Sequence, residues 1–126
     1  MKPEEVNKAL AEKVMGWIVA KNPYGTNELW LFLEDPNIKS GPCYYLAPIN
    51  KLADWDPWTR IDHVLMCLEK SPLWTVRKDR GLYQCMVRDE YTYYSEWGAN
   101  LTATICDALI QAVEENGGKL DEEIQP

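Results

Sequence analysis

Apolar positions set out the elements. After Pro3-Glu4-Glu5, the residues Val6, Leu10, Val14, Trp17 and Ile18 recur at helical spacing and predict a first helix. The early acids suit the helix dipole. Lys8, Glu12 and Lys13 fall on its wet side, and Asn22-Pro23-Tyr24-Gly25 breaks the pattern. Leu29-Trp30-Leu31-Phe32-Leu33 is a short apolar run that predicts a buried strand. Glu34-Asp35-Pro36-Asn37 reads as a turn and Ser40-Gly41-Pro42 as another. Cys43 to Ala47 is either a strand or an extended approach to the next helix, and Pro48 confines it to an edge or an end.

The stretch Ala53 to Lys70 organises the middle of the chain. Asp56 is placed to cap a helix whose first position is Pro57. Ile61, Val64, Leu65 and Leu68 form its apolar face, and Pro72 stops it after Lys70. Leu73 to Lys78 alternates as a half-buried strand, with Trp74 and Val76 on one side and Thr75 and Arg77 on the other. Asp79-Arg80-Gly81 predicts a hairpin turn into Leu82 to Arg88. Asp89-Glu90 turns again into a third strand, Tyr91 to Trp97. Asn100 caps a last helix, whose start falls there or at Leu101 or Thr102. Its apolar face is Leu101, Ile105, Ala108, Leu109, Ala112 and Val113, and Gly117-Gly118 ends it.

This order predicts an α+β fold: an antiparallel sheet of four or five strands with three helices packed on it. Length and the absence of a long linker predict one domain over 1–126, with a core at about 4–116 and an acidic tail at 117–126.

Composition narrows the chemistry. The net charge is −7, so the overall field repels polyanions and a DNA or RNA polymer is not an expected partner. Six Trp and seven Tyr stand against one Phe, a bias toward side chains that serve both cores and binding surfaces. Cys43, Cys67, Cys85 and Cys106 are scattered, without a Cys-x-x-Cys pair, and His63 is the sole histidine, which argues against zinc. Buried thiols fit better. With neither a leader-like segment nor a long apolar run in the sequence, a reduced, soluble, intracellular protein is expected, with no membrane partner.

Catalytic and ligand constellations are sparse. His63 has no nucleophile motif beside it, and a structural or surface role accounts for it. Asp54, Asp56 and Asp62 are better explained as caps and solvated positions than as a metal site. The glycines form no phosphate-cradling loop. The aromatic and basic residues are more informative. Trp55, Trp58 and Arg60 gather at the central helix start, Arg77 and Arg88 lie on adjacent strands, and Tyr93, Tyr94 and Trp97 lie on the third. Such a set can stack a base and hold a phosphate, although the same aromatics also serve to cover a sheet.

Three segments resemble the phage ABA sandwich domain, an α/β/α family of tailed phages and prophages: Ala11-Glu12-Lys13-Val14-Met15-Gly16-Trp17, the central helix closing with Leu68-Glu69-Lys70, and Ala103 to Val113. The family commonly starts its central helix with a Ser-Thr-Asp type sequence, where this chain has Trp58-Thr59-Arg60, so a shared ligand chemistry is not implied. The resemblance implies an accessory phage protein. By analogy with small phage proteins that counter bacterial immunity, the expected function is non-enzymatic sequestration of a nucleotide-derived immune signal, of cyclic nucleotide or cyclic ADP-ribose type, in the cytoplasm of the infected host. The expected ligand residues are Trp55, Trp58, Arg60, Arg88, Tyr93 and Tyr94, at the central helix start facing the third strand, with no metal or cofactor. The alternative is a protein-interaction module that binds a host defence effector or a phage particle component. A small hydrolase using His63 is a third reading. A homo-oligomer is the default for a small self-associating protein.

Overall fold

The computed structural model describes residues 1–21, 27–40, 43–88 and 93–115, with 33–40 and 43–50 described by their backbone alone. The fold is α+β, but its strands divide into two antiparallel three-stranded sheets, each with its strands in sequence order, in place of one sheet of four or five strands. The central helix separates the two groups in sequence and carries the chain from one sheet to the other.

Helix α1 (Pro3–Ala9) runs into a wider π-helical turn at Leu10–Val14. There the Met15 N–H donates to Leu10 O at 3.0 Å and the Trp17 N–H to Ala11 O at 2.9 Å. Gly16, at φ +72°, then turns the chain out of the helix. Ile18, expected on the helix, therefore opens strand β1 (Ile18–Lys21). β1 pairs with β2 (Leu29–Ser40), and β2 with β3 (Cys43–Lys51). The turn expected at Glu34-Asp35-Pro36-Asn37 is instead an irregular stretch inside β2, where the register shifts between Glu34 and Lys39. Pro36 has no N–H to give to a ladder, which suits an interruption there. The segment Cys43 to Ala47 is a strand. The breaks expected at Asn22 to Gly25, Gly41-Pro42, Asp89-Glu90 and Gly117-Gly118 lie outside the described residues, as does the acidic tail.

A 3₁₀ turn at Leu52–Asp54 leads to the loop before α2 (Ile61–Leu68). The sequence places Asp56 as the cap of that helix with Pro57 as its first residue. The structure makes 56–60 a separate turn, closed by the Arg60 N–H on Asp56 O at 2.8 Å. Arg60 is extended at φ −104°, ψ 117°, so the regular helix starts four residues after Pro57, at Ile61. Val64, Cys67 and Leu68 are its buried residues, while Ile61 and Leu65 are exposed.

Strands β4 (Leu73–Asp79), β5 (Leu82–Arg88) and β6 (Tyr93–Gly98) form the expected meander. Arg80 and Gly81 take φ of +53° and +81° between the paired Asp79 and Leu82. Two left-handed residues at a two-residue turn match the twist of the strands they join. Helix α3 (Leu101–Glu115) starts where the sequence places it, with the Ala103 N–H on Asn100 Oδ1 at 3.0 Å. It lies across the inner side of β5 and β6. A Cβ on Gly98 would collide with the Thr104 hydroxyl, so this strand-to-helix approach requires glycine.

The core joins Ile105, Ala108, Leu109 and Val113 of α3 to Cys85, Val87 and Tyr94 of the sheet and to Val6, Leu10, Val14, Val64 and Leu68 of the other helical segments. The first sheet adds Leu31, reaching the rest mainly through the π-helical turn and the Leu52–Asp54 turn.

Candidate functional sites

The loop before α2 is held by an internal hydrogen-bond knot centred on Asn7, a residue the sequence pattern does not single out. Asn7 O accepts from Trp55 Nε1 at 2.9 Å, Asn7 Nδ2 donates to Asp56 Oδ1 at 3.1 Å, and Asn7 Oδ1 accepts from the Trp58 N–H at 3.0 Å. One helical side chain and its carbonyl thus fix three consecutive features of a loop 48 to 51 residues away. A polar residue one position after the buried Val6, on the rim of an apolar face, was the available signal.

The rest of the knot follows from the short loop. The Thr59 hydroxyl and N–H both donate to the Asp56 carboxylate. The Thr59 hydroxyl foremost, then the Asn7 amide and the Thr59 N–H, hold that carboxyl below its ordinary 3.8 against an opposing desolvation by partial burial. The Asp56 N–H donates to His63 Nδ1 at 2.9 Å, which assigns the neutral ring the tautomer protonated at Nε2. The Trp55 ring stacks on His63, with centroids 4.9 Å apart and planes 16° apart, and meets Trp17 edge-on at 4.8 Å. Trp55 is only 4% exposed, so it is a core residue with its polar atom satisfied.

Beside this knot lies an open cleft of about 350 Å³, bordered by Glu4, Asn7, Trp55, Asp56, Trp58 and Thr59 among others. Trp58 is half-buried there. Among the described residues no Lys or Arg borders the cleft. Arg60, expected to meet a phosphate, instead forms a two-point pair with Asp62, at 3.2 and 2.9 Å. The Arg60 side chain foremost holds the Asp62 carboxyl below its ordinary value.

The outer face of the second sheet is different. Register puts Trp74, Val76, Cys85, Val87 and Tyr94 on the side of α3. Leu73, Thr75, Arg77, Gln84, Met86, Arg88, Tyr93, Ser95 and Trp97 lie on the opposite side. Tyr93 and Trp97 are 57% and 45% exposed. The Arg77 guanidinium lies 5.3 Å from the Trp97 ring centroid and the Arg88 guanidinium 5.0 Å from that of Tyr93. Arg77 Nε donates to Gln84 Oε1 at 2.6 Å, and Gln84 Nε2 to Ser95 Oγ at 2.9 Å.

The residues expected to form one ligand site therefore occupy four places. Trp55 and Tyr94 are in the core, Tyr94 at 7% exposure. Trp58 borders the cleft, and Arg60 faces its own helix start. Arg88 and Tyr93 pair on the far side of the sheet. Neighbouring tyrosines 93 and 94 point to opposite faces because a strand alternates. Cys67, Cys85 and Cys106 are buried free thiols, the first two pushed up to about 12 by burial and Cys106 raised further, also chiefly by burial. Such thiols are poor nucleophiles. The Cys43 side chain lies outside the described residues.

These features define an α+β protein with a self-satisfied loop knot and an open aromatic–arginine sheet face. No protein-family model matches the sequence, and no curated protein matches it. Among solved structures it is similar to a phage protein from Bacillus cereus, at 17% identity and a TM-score of 0.56, covering 99% of this chain and 93% of that one. The chain thus shares the fold of a phage protein, and the resemblance to the ABA sandwich family has no matching family model behind it.

Proposed function

We propose that this chain is a phage-type, non-enzymatic binding protein that works by contact with a protein, a host defence effector or a phage particle component, through the outer face of β4–β6. The observation carrying this reading is that face itself. It presents Tyr93, Trp97 and Leu73 to solvent, with Arg77 and Arg88 laid over the rings. Aromatic residues and arginine are the side chains enriched at interface centres, and the face is flat where a small-molecule site is concave. Its depression between Leu73, Trp74, Thr75, Met86, Arg88 and Tyr93 measures about 30 Å³, against about 350 Å³ for the cleft beside Trp58. The fold shared with a phage protein supports the context, and action in the cytoplasm of an infected bacterium belongs to the same proposal. Among the described residues no helix is long and apolar enough to cross a membrane. The non-enzymatic reading is supported by His63, whose Nδ1 is taken by the Asp56 N–H and whose ring is covered by Trp55.

A photo-cross-linker placed at Thr75, in the middle of the outer face, tests this in infected cells. A discrete protein adduct is expected there and not from the same group at the exposed Glu12. Adducts of equal yield from both positions, or none from Thr75, would sink the reading.

Sequestration of a nucleotide signal is a second reading, favoured by the size of the cleft beside Trp58. Its difficulty is charge, since Glu4 and Asp56 border that cleft and would repel a phosphate. Calorimetry with cyclic oligonucleotides and cyclic ADP-ribose variants, with recovery of intact ligand after denaturation, decides it. Trp58→Ala should then abolish binding while Trp97→Ala leaves it unchanged.

A further inference from the structure

The side chains of the outer sheet face are arranged more tightly than solvent exposure requires. Arg77, Gln84 and Trp97 form one row across the three strands. Arg88 and Tyr93 belong to another, with Leu73 as the third member. Arg77 Nε donates to Gln84 within the first row, and Gln84 Nε2 donates in turn to Ser95 Oγ in the next. The guanidinium is therefore held at Nε by Gln84 and lies over an indole ring. An arginine so restrained has lost part of its rotamer freedom before any partner arrives.

Neither guanidinium has a carboxylate beside it among the described residues. The contrast within the same molecule is Arg60, which lies against Asp62 with both of its forked nitrogens. In a chain of net charge −7, two arginines held over aromatic rings, with no acidic partner among the described residues, form a local positive feature in a negative field. The two rows stand four residues apart along the strands, about 13 Å at ~3.3 Å per residue. Thr75, Met86 and Ser95 fill the row between them with neutral side chains.

We infer that Arg77 and Arg88 are preorganised carboxylate receptors, and that the partner of this face is a protein whose contact segment is acidic, with two carboxylates about 13 Å apart. This rests on the interaction reading above and names the chemistry of its partner. Charge complementarity selects the occupant. A second copy meeting this one face to face would set guanidinium against guanidinium, which costs affinity. A nucleic-acid polymer is opposed by the overall charge. An extended segment with acids four residues apart matches the two rows and leaves apolar side chains between to meet Met86. Gln84, backed by Ser95, acts as a positioning residue that holds Arg77 Nε.

The experiment uses the full chain and a blocked peptide of seven residues with two glutamates four apart and Thr and Val between them. Its counterpart carries glutamines in their place. Binding is followed by calorimetry and by the Arg77 Nε–H and Trp97 indole N–H resonances. Saturable movement of both signals is expected with the glutamate peptide, and at least about fivefold weaker binding with the glutamine peptide. Arg77→Lys keeps the charge but loses the fork, and should weaken binding about fivefold or more. Gln84→Ala should weaken it about two- to threefold and broaden the Arg77 signal while the far-ultraviolet circular dichroism stays that of wild type. Equal binding of the two peptides, or wild-type affinity in folded Arg77→Ala, would overturn the receptor. Tighter binding of a cyclic dinucleotide at the same two resonances would overturn the protein occupant, and face-to-face dimerisation in sedimentation would overturn the acidic one. If the peptides fail while the Thr75 adduct forms, the face remains an interface and its acidic specificity is wrong. If both fail, the interaction reading falls with it.

Discussion

The loop knot and the outer sheet face hold much the same kinds of side chain and use them in opposite ways. In the knot, Trp55, Trp58, Asp56 and His63 find their partners inside the molecule: Asn7, Thr59 and one another. On the face, Tyr93, Trp97 and Arg77 stand in solvent beside a half-buried Arg88, ordered by lateral contacts. A cluster of aromatic and polar residues is therefore no sign of a site until its hydrogen bonds have been traced. Where donors and acceptors close on themselves, the cluster stabilises the fold. Where a fixed donor is left pointing outward, it is available to a partner.

Breaking the knot should cost stability and leaving it intact should not. The largest effect is expected for Trp55→Ala, which removes a buried ring from between Trp17 and His63 and the indole N–H that ties the loop to Asn7 O. A loss of about 3–5 kcal/mol in urea denaturation is expected. Asp56→Ala comes next. It leaves the Asn7 amide and the Thr59 donors without their acceptor, for an expected loss of about 1–3 kcal/mol in the same measurement.

Acid sharpens the comparison. The Asp56 carboxyl is held below 3.8 in the folded state, so its contribution is complete above that value and is lost as pH falls through the folded one. The stability gap between wild type and Asp56→Asn should therefore be constant near neutrality and narrow below about pH 4. A gap that widens on acidification would mean that the carboxylate is not held by these donors.

The smallest effect on stability belongs to the face. Trp97→Ala should change the unfolding free energy by no more than about 0.5–1 kcal/mol, since it removes an exposed ring and one cation–π contact. The same substitution should abolish the Thr75 adduct. A large destabilisation would place Trp97 with the knot and remove the basis for treating the face as free.

Local patterns carried much of this molecule. The strand pairing over Leu73 to Arg88, the hairpin turn at Arg80-Gly81 and the Asn100 cap are short-range physics, and each appears in the structure as the sequence spaces it, although β4, expected half-buried, is exposed at every position but Val76. The buried face of α3 is likewise the periodic one. What failed locally failed for local reasons with non-local consequences. Gly16 and the π-helical turn redirected Ile18 into a strand, and an extended Arg60 delayed α2 to Ile61. Tertiary structure alone decided that the strands form two sheets, that Asn7 closes the loop 48 residues away, and that Tyr93 and Tyr94 serve opposite faces. Sequence adjacency brought Trp55, Trp58 and Arg60 together on paper. Burial and hydrogen bonding sent one into the core, one to a cleft and one to Asp62, because each side chain settles where its own apolar area and polar atoms are best satisfied.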